Sequence, residues 1–160
     1  MGKLSNKNKS KEFILYNNIL FLSRNKLFYT KFALADTFQN RINLIFFHIS
    51  FIFIKVNQNK EKKVYKNFYQ KLFDLLFKQI ELNMREIGYG DQSINKKMKN
   101  YLNLFYDIID KIHNWEFLSI EDKKKILINL LDKNANITYL TEYFDEYLLK
   151  LSNNTLNFYI

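Results

Sequence analysis

Apolar residues return every three or four positions along most of this chain, and the stretches that break the rhythm are short and polar. Ile94, Met98, Tyr101, Leu102, Phe105, Ile108, Ile109 and Ile112 fall on one stripe, the spacing of an amphipathic α-helix. Leu140, Tyr143, Phe144, Tyr147, Leu148 and Leu151 mark a second stripe near the end. Between Tyr65 and Met84, the residues Phe68, Leu72, Phe73, Leu75, Leu76, Phe77 and Ile80 cover most of a helical circumference. That pattern predicts a helix enclosed by others. Phe13–Ser23 predicts an apolar helix after a polar start, Arg24–Thr30 a short helix or turn, and Phe38–Val56 a long helix. No run alternates with the period of two that marks a half-buried strand.

The breaks carry their own signals. Asp36 and Thr37 place side-chain oxygens just before Phe38, where they can cap a helix. Ser119 with Asp122 resembles a capping box opening Ile120–Leu131. Asn57–Lys63, Asn114–Leu118 and Asn134–Asn136 are polar connections. The remaining break, within Met84–Lys99 (MREIGYGDQSINKKMK), holds two of the three glycines. Gly88 or Gly90 can take the left-handed conformation that ends a helix, and Asp91 or Ser93 can cap the next one. Arg85 sits where a cation favours the carbonyl end of a helix, and it can bridge to Asp91 or to Asp36. The corner serves either to pack two helices or to present a surface.

The prediction is an all-α fold, a single compact helical bundle of six or seven helices. Residues 1–10 read as a flexible basic tail and 11–160 as one domain. A chain of 160 residues fits one domain, and the lack of proline favours long helices with short corners. With 48% hydrophobic residues the core needs no staples, and the lack of cysteine excludes disulfides, thiolate zinc sites and a cysteine nucleophile.

Charge widens the choice of partners. The formal net charge is +9, with basic clusters at Lys3–Lys11, Lys60–Lys66, Lys96–Lys99 and Lys123–Lys125. These are either solvated helix faces or attractors for anionic lipid, ribosomal RNA or acidic protein. No zinc finger or aromatic RNA-binding motif is present, so specific DNA reading is not expected. The opening residues have no apolar core before Phe13 and do not read as a secretory signal. The longest apolar run, Ile42–Ile54, is shorter than a membrane span and reads as a buried helix.

Candidate chemistry is sparse. The two histidines, His48 and His113, lie on separate predicted helices, so no HExxH pair exists. Phosphate-binding glycine loops and the GxSxG elbow are missing too. Asp107 and Asp110, three apart, read as solvated acids. His48 lies inside an apolar run and is expected to be buried, its nitrogens bonded to neighbouring backbone or to Asp36 or Arg41. No catalytic residue, metal site or cofactor is expected.

One ordered set of residues stands out. Phe28-Tyr29, Asp36-Thr37, Arg41 and His48 are followed by Arg85-Glu86, Gly88, Gly90-Asp91 and then Lys96-Lys97-Met98-Lys99. From about Leu27 to Asp107 this order resembles the ubiquinol–cytochrome c chaperone family. REIGYGD and INKKMK are close to its RExGxGD and VxKxMK patterns, and the DT…R…H spacing is an independent agreement. The chain departs from the family at Gln39-Asn40, where glycine usually precedes the arginine, at Asn83 and at Tyr106-Asp107.

The resemblance implies a non-enzymatic assembly chaperone for the cytochrome b subunit of respiratory complex III, or for another subunit of that complex. It implies binding near the membrane or ribosome, a small helical partner protein and peripheral membrane contact. The setting would be the bacterial cytoplasm at the inner membrane, or the mitochondrial matrix in a eukaryote. The client- or partner-binding residues it implies are Asp36, Thr37, Arg41, His48, Arg85, Glu86, Gly88, Gly90, Asp91 and Lys97. Charge alone supports an alternative, a basic ribosome- or RNA-binding helical module without catalytic activity.

Overall fold

The computed structural model describes residues 10–58 and 62–153. Most of the predicted basic tail, and residues 59–61 of the Asn57–Lys63 connection, lie outside them. Among the described residues there are six α-helices and no strand: α1 (Lys11–Ser23), α2 (Phe38–Gln58), α3 (Lys62–Ile87), α4 (Asp91–Ile112), α5 (Ile120–Leu130) and α6 (Ile137–Asn153). A 3-10 turn at Lys26–Phe28 falls in the segment predicted as a short helix or turn, and another at Trp115–Phe117 in the break predicted at Asn114–Leu118. Ser10 opens α1, and its hydroxyl accepts the Phe13 N–H at 3.4 Å. Ser119 opens α5 by accepting the Asp122 N–H at 3.1 Å, as the capping pattern predicts.

The enclosed helix is α2, not α3. Every residue from Ile42 to Ile52 is buried, and α2 packs against α1, α3, α4 and α6. This explains the long apolar run: a helix with neighbours on all sides has no solvent face to keep polar. No helix among the described residues is long and apolar enough to cross a membrane. In α3 a single stripe is buried, namely Tyr69, Leu72, Leu76, Phe77, Ile80 and Met84. Lys66, Lys71 and Lys78 face solvent. The half-buried rings of Phe68 and Phe73, with Leu75, flank that stripe and made it look wider in the sequence than it is.

Aromatic side chains set the order of the helices. Phe46 meets Phe77 at 5.7 Å between ring centroids, while Phe53 meets Tyr69 at 5.3 Å. Thus α3 runs antiparallel to α2. Phe46 also meets Tyr101 at 6.4 Å and Phe53 meets Phe105 at 5.7 Å, so α4 runs parallel to α2. Phe47–Phe144 and Phe51–Tyr147 contacts give α6 the same direction. The start of α2, the α3–α4 corner and the α5–α6 connection therefore share one end of the bundle. Ser50, between Phe46 and Phe53 on the α4-facing side of α2, is fully buried, and its hydroxyl has no hydrogen-bond partner among the described residues. A small side chain there lets α2 and α4 approach closely.

The connection from α1 to α2 is pinned at that same end. Asn136 N–H donates to the Phe32 carbonyl at 2.8 Å, and Leu34 N–H donates to the Phe28 carbonyl at 2.8 Å. Ala33 between them adopts φ +55°, a left-handed conformation that few non-glycine residues take. Asp132 on the α5–α6 connection accepts from Ala35 N–H at 3.3 Å and from the Asn40 amide at 3.2 Å.

Candidate functional site

Two exposed ion-paired groups and one buried histidine make up the positions singled out in the sequence. At the start of α2, Thr37 is the cap: its hydroxyl accepts the Asn40 N–H at 3.1 Å. Asp36 does not cap. It takes Arg41 in a two-pronged ion pair, 2.7 Å from Nε and 3.0 Å from Nη2. The Arg41 hydrogen bond holds the Asp36 carboxyl below its ordinary range. The guanidinium also lies 5.9 Å from the ring centroid of Tyr29, whose hydroxyl donates to the Ser23 carbonyl at 3.0 Å. Planar guanidinium suits both contacts at once, which an ammonium would not.

The glycine corner is a Schellman closure. Tyr89 N–H reaches back to the Met84 carbonyl at 3.1 Å, and Gly88 N–H reaches the Arg85 carbonyl at 3.0 Å. Gly88 carries φ +105°. Gly90 is different. It occupies the cap position of α4 with φ −77° and ψ 164°, and no side chain caps that helix. The predicted cap by Asp91 or Ser93 is therefore corrected. Asp91 stands in the first turn, where its charge suits the helix N-terminus, and it is held by Arg85 Nη1 at 2.6 Å. Arg85 Nη2 holds Glu81 at 3.0 Å. One guanidinium thus ties the last turn of α3 to the first turn of α4, and the expected alternative bridge to Asp36 is not made. Lys97 Nζ lies 4.9 Å from the ring centroid of Tyr89, and Glu86 is exposed.

The two glycines separate by conformation. Nothing lies within 4 Å of a Cβ placed on either one, so backbone alone decides. Gly88→Ala is expected to cost about 1–2 kcal/mol, the penalty of a left-handed L-residue, while Gly90→Ala is expected to change stability by only a few tenths, because the cap preference for Gly over Ala is offset by the lower entropy of the unfolded alanine chain. Urea unfolding of both variants checks this; equal losses would count against the corner geometry.

His48 is fully buried. Its Nδ1 lies 2.6 Å from the Leu44 carbonyl and its Nε2 lies 2.6 Å from the Tyr143 hydroxyl. A carbonyl can only accept, so Nδ1 carries the proton and Nε2 accepts from Tyr143 O–H. Burial outweighs the backbone hydrogen bond and lowers the His48 pKa to about 4, and burial pushes the Tyr143 phenol up. The neutral pair is the form the site holds. Of the expected partners, the backbone is present, while Asp36 and Arg41 are not: Arg41 lies two turns earlier, turned to its own carboxylate. The half-buried rings of Tyr143 and Tyr147 both pack against the imidazole, at 5.6 Å and 4.8 Å between centroids.

The Asp36–Arg41 and Glu81–Arg85–Asp91 groups stand at one end of the bundle as separate ion pairs. Sequence reasoning missed Asn40, Asp132 and Tyr143. The Asn40 amide donates to the Ala35 carbonyl at 2.9 Å as well as to Asp132, and so locks the loop before α2. Asp132 and Tyr143 lie more than ninety positions away from their partners, and no local pattern connects them. Among the described residues, no group of three or more His, Cys, Asp or Glu is placed to hold a metal ion.

No curated protein and no solved structure matches the chain. The sequence profile of the ubiquinol-cytochrome C chaperone family matches residues 30–116. That span takes in the capped start of α2, the buried histidine and the whole glycine corner, and it covers more than half of the 160 residues. The chain belongs to the ubiquinol-cytochrome C chaperone family.

Proposed function

We propose that this protein is a non-enzymatic chaperone that holds the cytochrome b subunit of complex III during assembly. Family membership supports a chaperone role in complex III assembly, and the observation that carries the finer reading is the end of the bundle where the matched motifs converge. There Arg41 and Arg85 are exposed, as are the apolar side chains of Ile87 and Tyr89 at the glycine corner. A transmembrane client segment offers apolar surface with polar ends, and a mixed surface of this kind suits it. In this reading the client is held peripherally at the membrane or near the ribosome, with a small helical partner, and the exposed lysines meet lipid headgroups.

Co-purification of the tagged chain from its native membranes, followed by quantitative mass spectrometry, tests the proposal. Cytochrome b is expected to be enriched. An Arg41→Ala, Arg85→Ala double variant is expected to lose most of that enrichment while its melting temperature stays near that of the parent, because exposed ion pairs contribute little to stability. Recovery of no complex III subunit above background would overturn the reading. Recovery of ribosomal RNA alone, released steeply by salt, would instead support the basic ribosome-binding alternative.

A further inference from the structure

At the end of the bundle opposite the glycine corner, α2, α3 and α4 surround a cavity of about 540 Å³. Small-molecule sites are roughly 300–1,000 Å³. Its lining is a continuous aromatic surface. Phe105 meets Phe53 at 5.7 Å and Phe73 at 5.6 Å, Phe53 meets Tyr69 at 5.3 Å, and Phe73 meets Tyr106 at 6.3 Å. Among the described residues, the charged side chains lining it are Lys63 and Lys66, without a carboxylate.

Those two lysines are placed against the usual logic of a helix. They stand at the start of α3, whose first turn holds no acidic residue. A helix N-terminus carries partial positive charge and is normally served by Asp or Glu. Both lysines are exposed at the mouth of the cavity, whereas the part-buried Lys55 and Lys123 are held by Glu116 at 2.6 Å and Asp145 at 2.9 Å. Lys63 and Lys66 make no ion pair among the described residues. An apolar cavity whose rim carries two cations without an ion pair among the described residues, beside a helix N-terminus, is complementary to a molecule with an apolar body and one anionic end.

We propose that this cavity binds a single-chain anionic amphiphile, a fatty acid whose chain lies against Phe53, Phe73 and Phe105 and whose carboxylate sits between Lys63 and Lys66. The site is distinct from the Arg41–Arg85 end and does not depend on the identity of the client.

The test is calorimetric titration of the full chain with laurate at pH 8, below its micelle concentration, with methyl laurate as the uncharged comparison. Saturable one-to-one binding of laurate is expected. The Lys63→Gln, Lys66→Gln double variant should weaken laurate about tenfold or more and leave methyl laurate unchanged. Gln70→Trp fills the cavity from an exposed lining position and should block both ligands. Absence of one-to-one binding, equal laurate affinity in the double variant, or binding that survives Gln70→Trp would overturn the proposal. Flotation with phosphatidylglycerol vesicles is the second arm. Lysine-dependent flotation without laurate binding would also overturn it, because the lysines would then act as surface charge and the cavity would be idle.

Discussion

Replacing Phe105 by alanine is expected to destabilise the protein by about 3–5 kcal/mol, the usual cost of deleting a buried phenylalanine. Phe105 is 1% exposed and is the hub of the α2–α3–α4 packing. Its ring meets Phe46 at 5.3 Å, Phe53 at 5.7 Å, Phe73 at 5.6 Å and Phe77 at 6.0 Å, mostly edge to face. Those rings come from two other helices and cannot all close on the vacated space at once, so the cavity term is added to the lost burial. Domains are stabilised by only about 5–15 kcal/mol in total. The loss should therefore appear as a fall in melting temperature of roughly 10 °C. Thermal unfolding by circular dichroism checks it, with Tyr106→Ala as the comparison. Tyr106 is the adjacent ring but is more than half exposed, and its removal should cost far less. A similar fall in both variants would mean that the Phe105 cluster is not the centre of the core.

Stability is expected to drop between pH 6.5 and about pH 4 because of His48. Its pKa is about 4 in the fold against 6.5 as the ordinary value. Above pH 6.5 the imidazole is neutral in both states and contributes no pH dependence. As pH falls below 6.5 the unfolded chain takes up a proton that the folded chain refuses, so the unfolded state is favoured. The loss grows until the folded pKa is reached and then levels off, at about 3 kcal/mol in all. His48→Gln removes the titration while keeping an amide that can hydrogen-bond at the same place. The variant is expected to be less stable at pH 7 and to show a flatter profile from pH 6.5 to 5. Exposed His113 and the carboxylates are common to both proteins, so the difference between the two profiles isolates His48. Parallel profiles would show that His48 is not held neutral in the folded state.

Much of this architecture is legible along the chain because helices announce themselves locally. The stripe from Ile94 to Ile112 needs nothing beyond its own spacing to be read as α4, and Ser119 with Asp122 marks the start of α5 with a contact three residues long. The glycine corner was legible for the same reason, since a helix end that reverses direction in three residues needs a left-handed position. Which of the two glycines takes it was not legible: Gly88 and Gly90 are equally permissive, and only the return bonds of Tyr89 and Gly88 to α3 choose between them. The width of the buried face of α3 was misread. Flanking rings such as Phe68 and Phe73 count as apolar in a periodicity although they are only half covered.

By itself, then, the sequence determined the helical class, the positions of the corners and the family-like order of Asp36, Arg41, His48 and the REIGYGD turn. Those properties are carried by neighbours within a turn or two, or by simple order along the chain. Tertiary structure alone decided that α3 is buried along one stripe only, that Asn40 and Asp132 clamp the loop before α2, and that Tyr143 completes the histidine. It also decided that the exposed Lys63 and Lys66 stand at the rim of an aromatic cavity. Such contacts join residues whose separation along the chain bears no relation to helical period, and only the packing of helices side by side brings them within bonding distance.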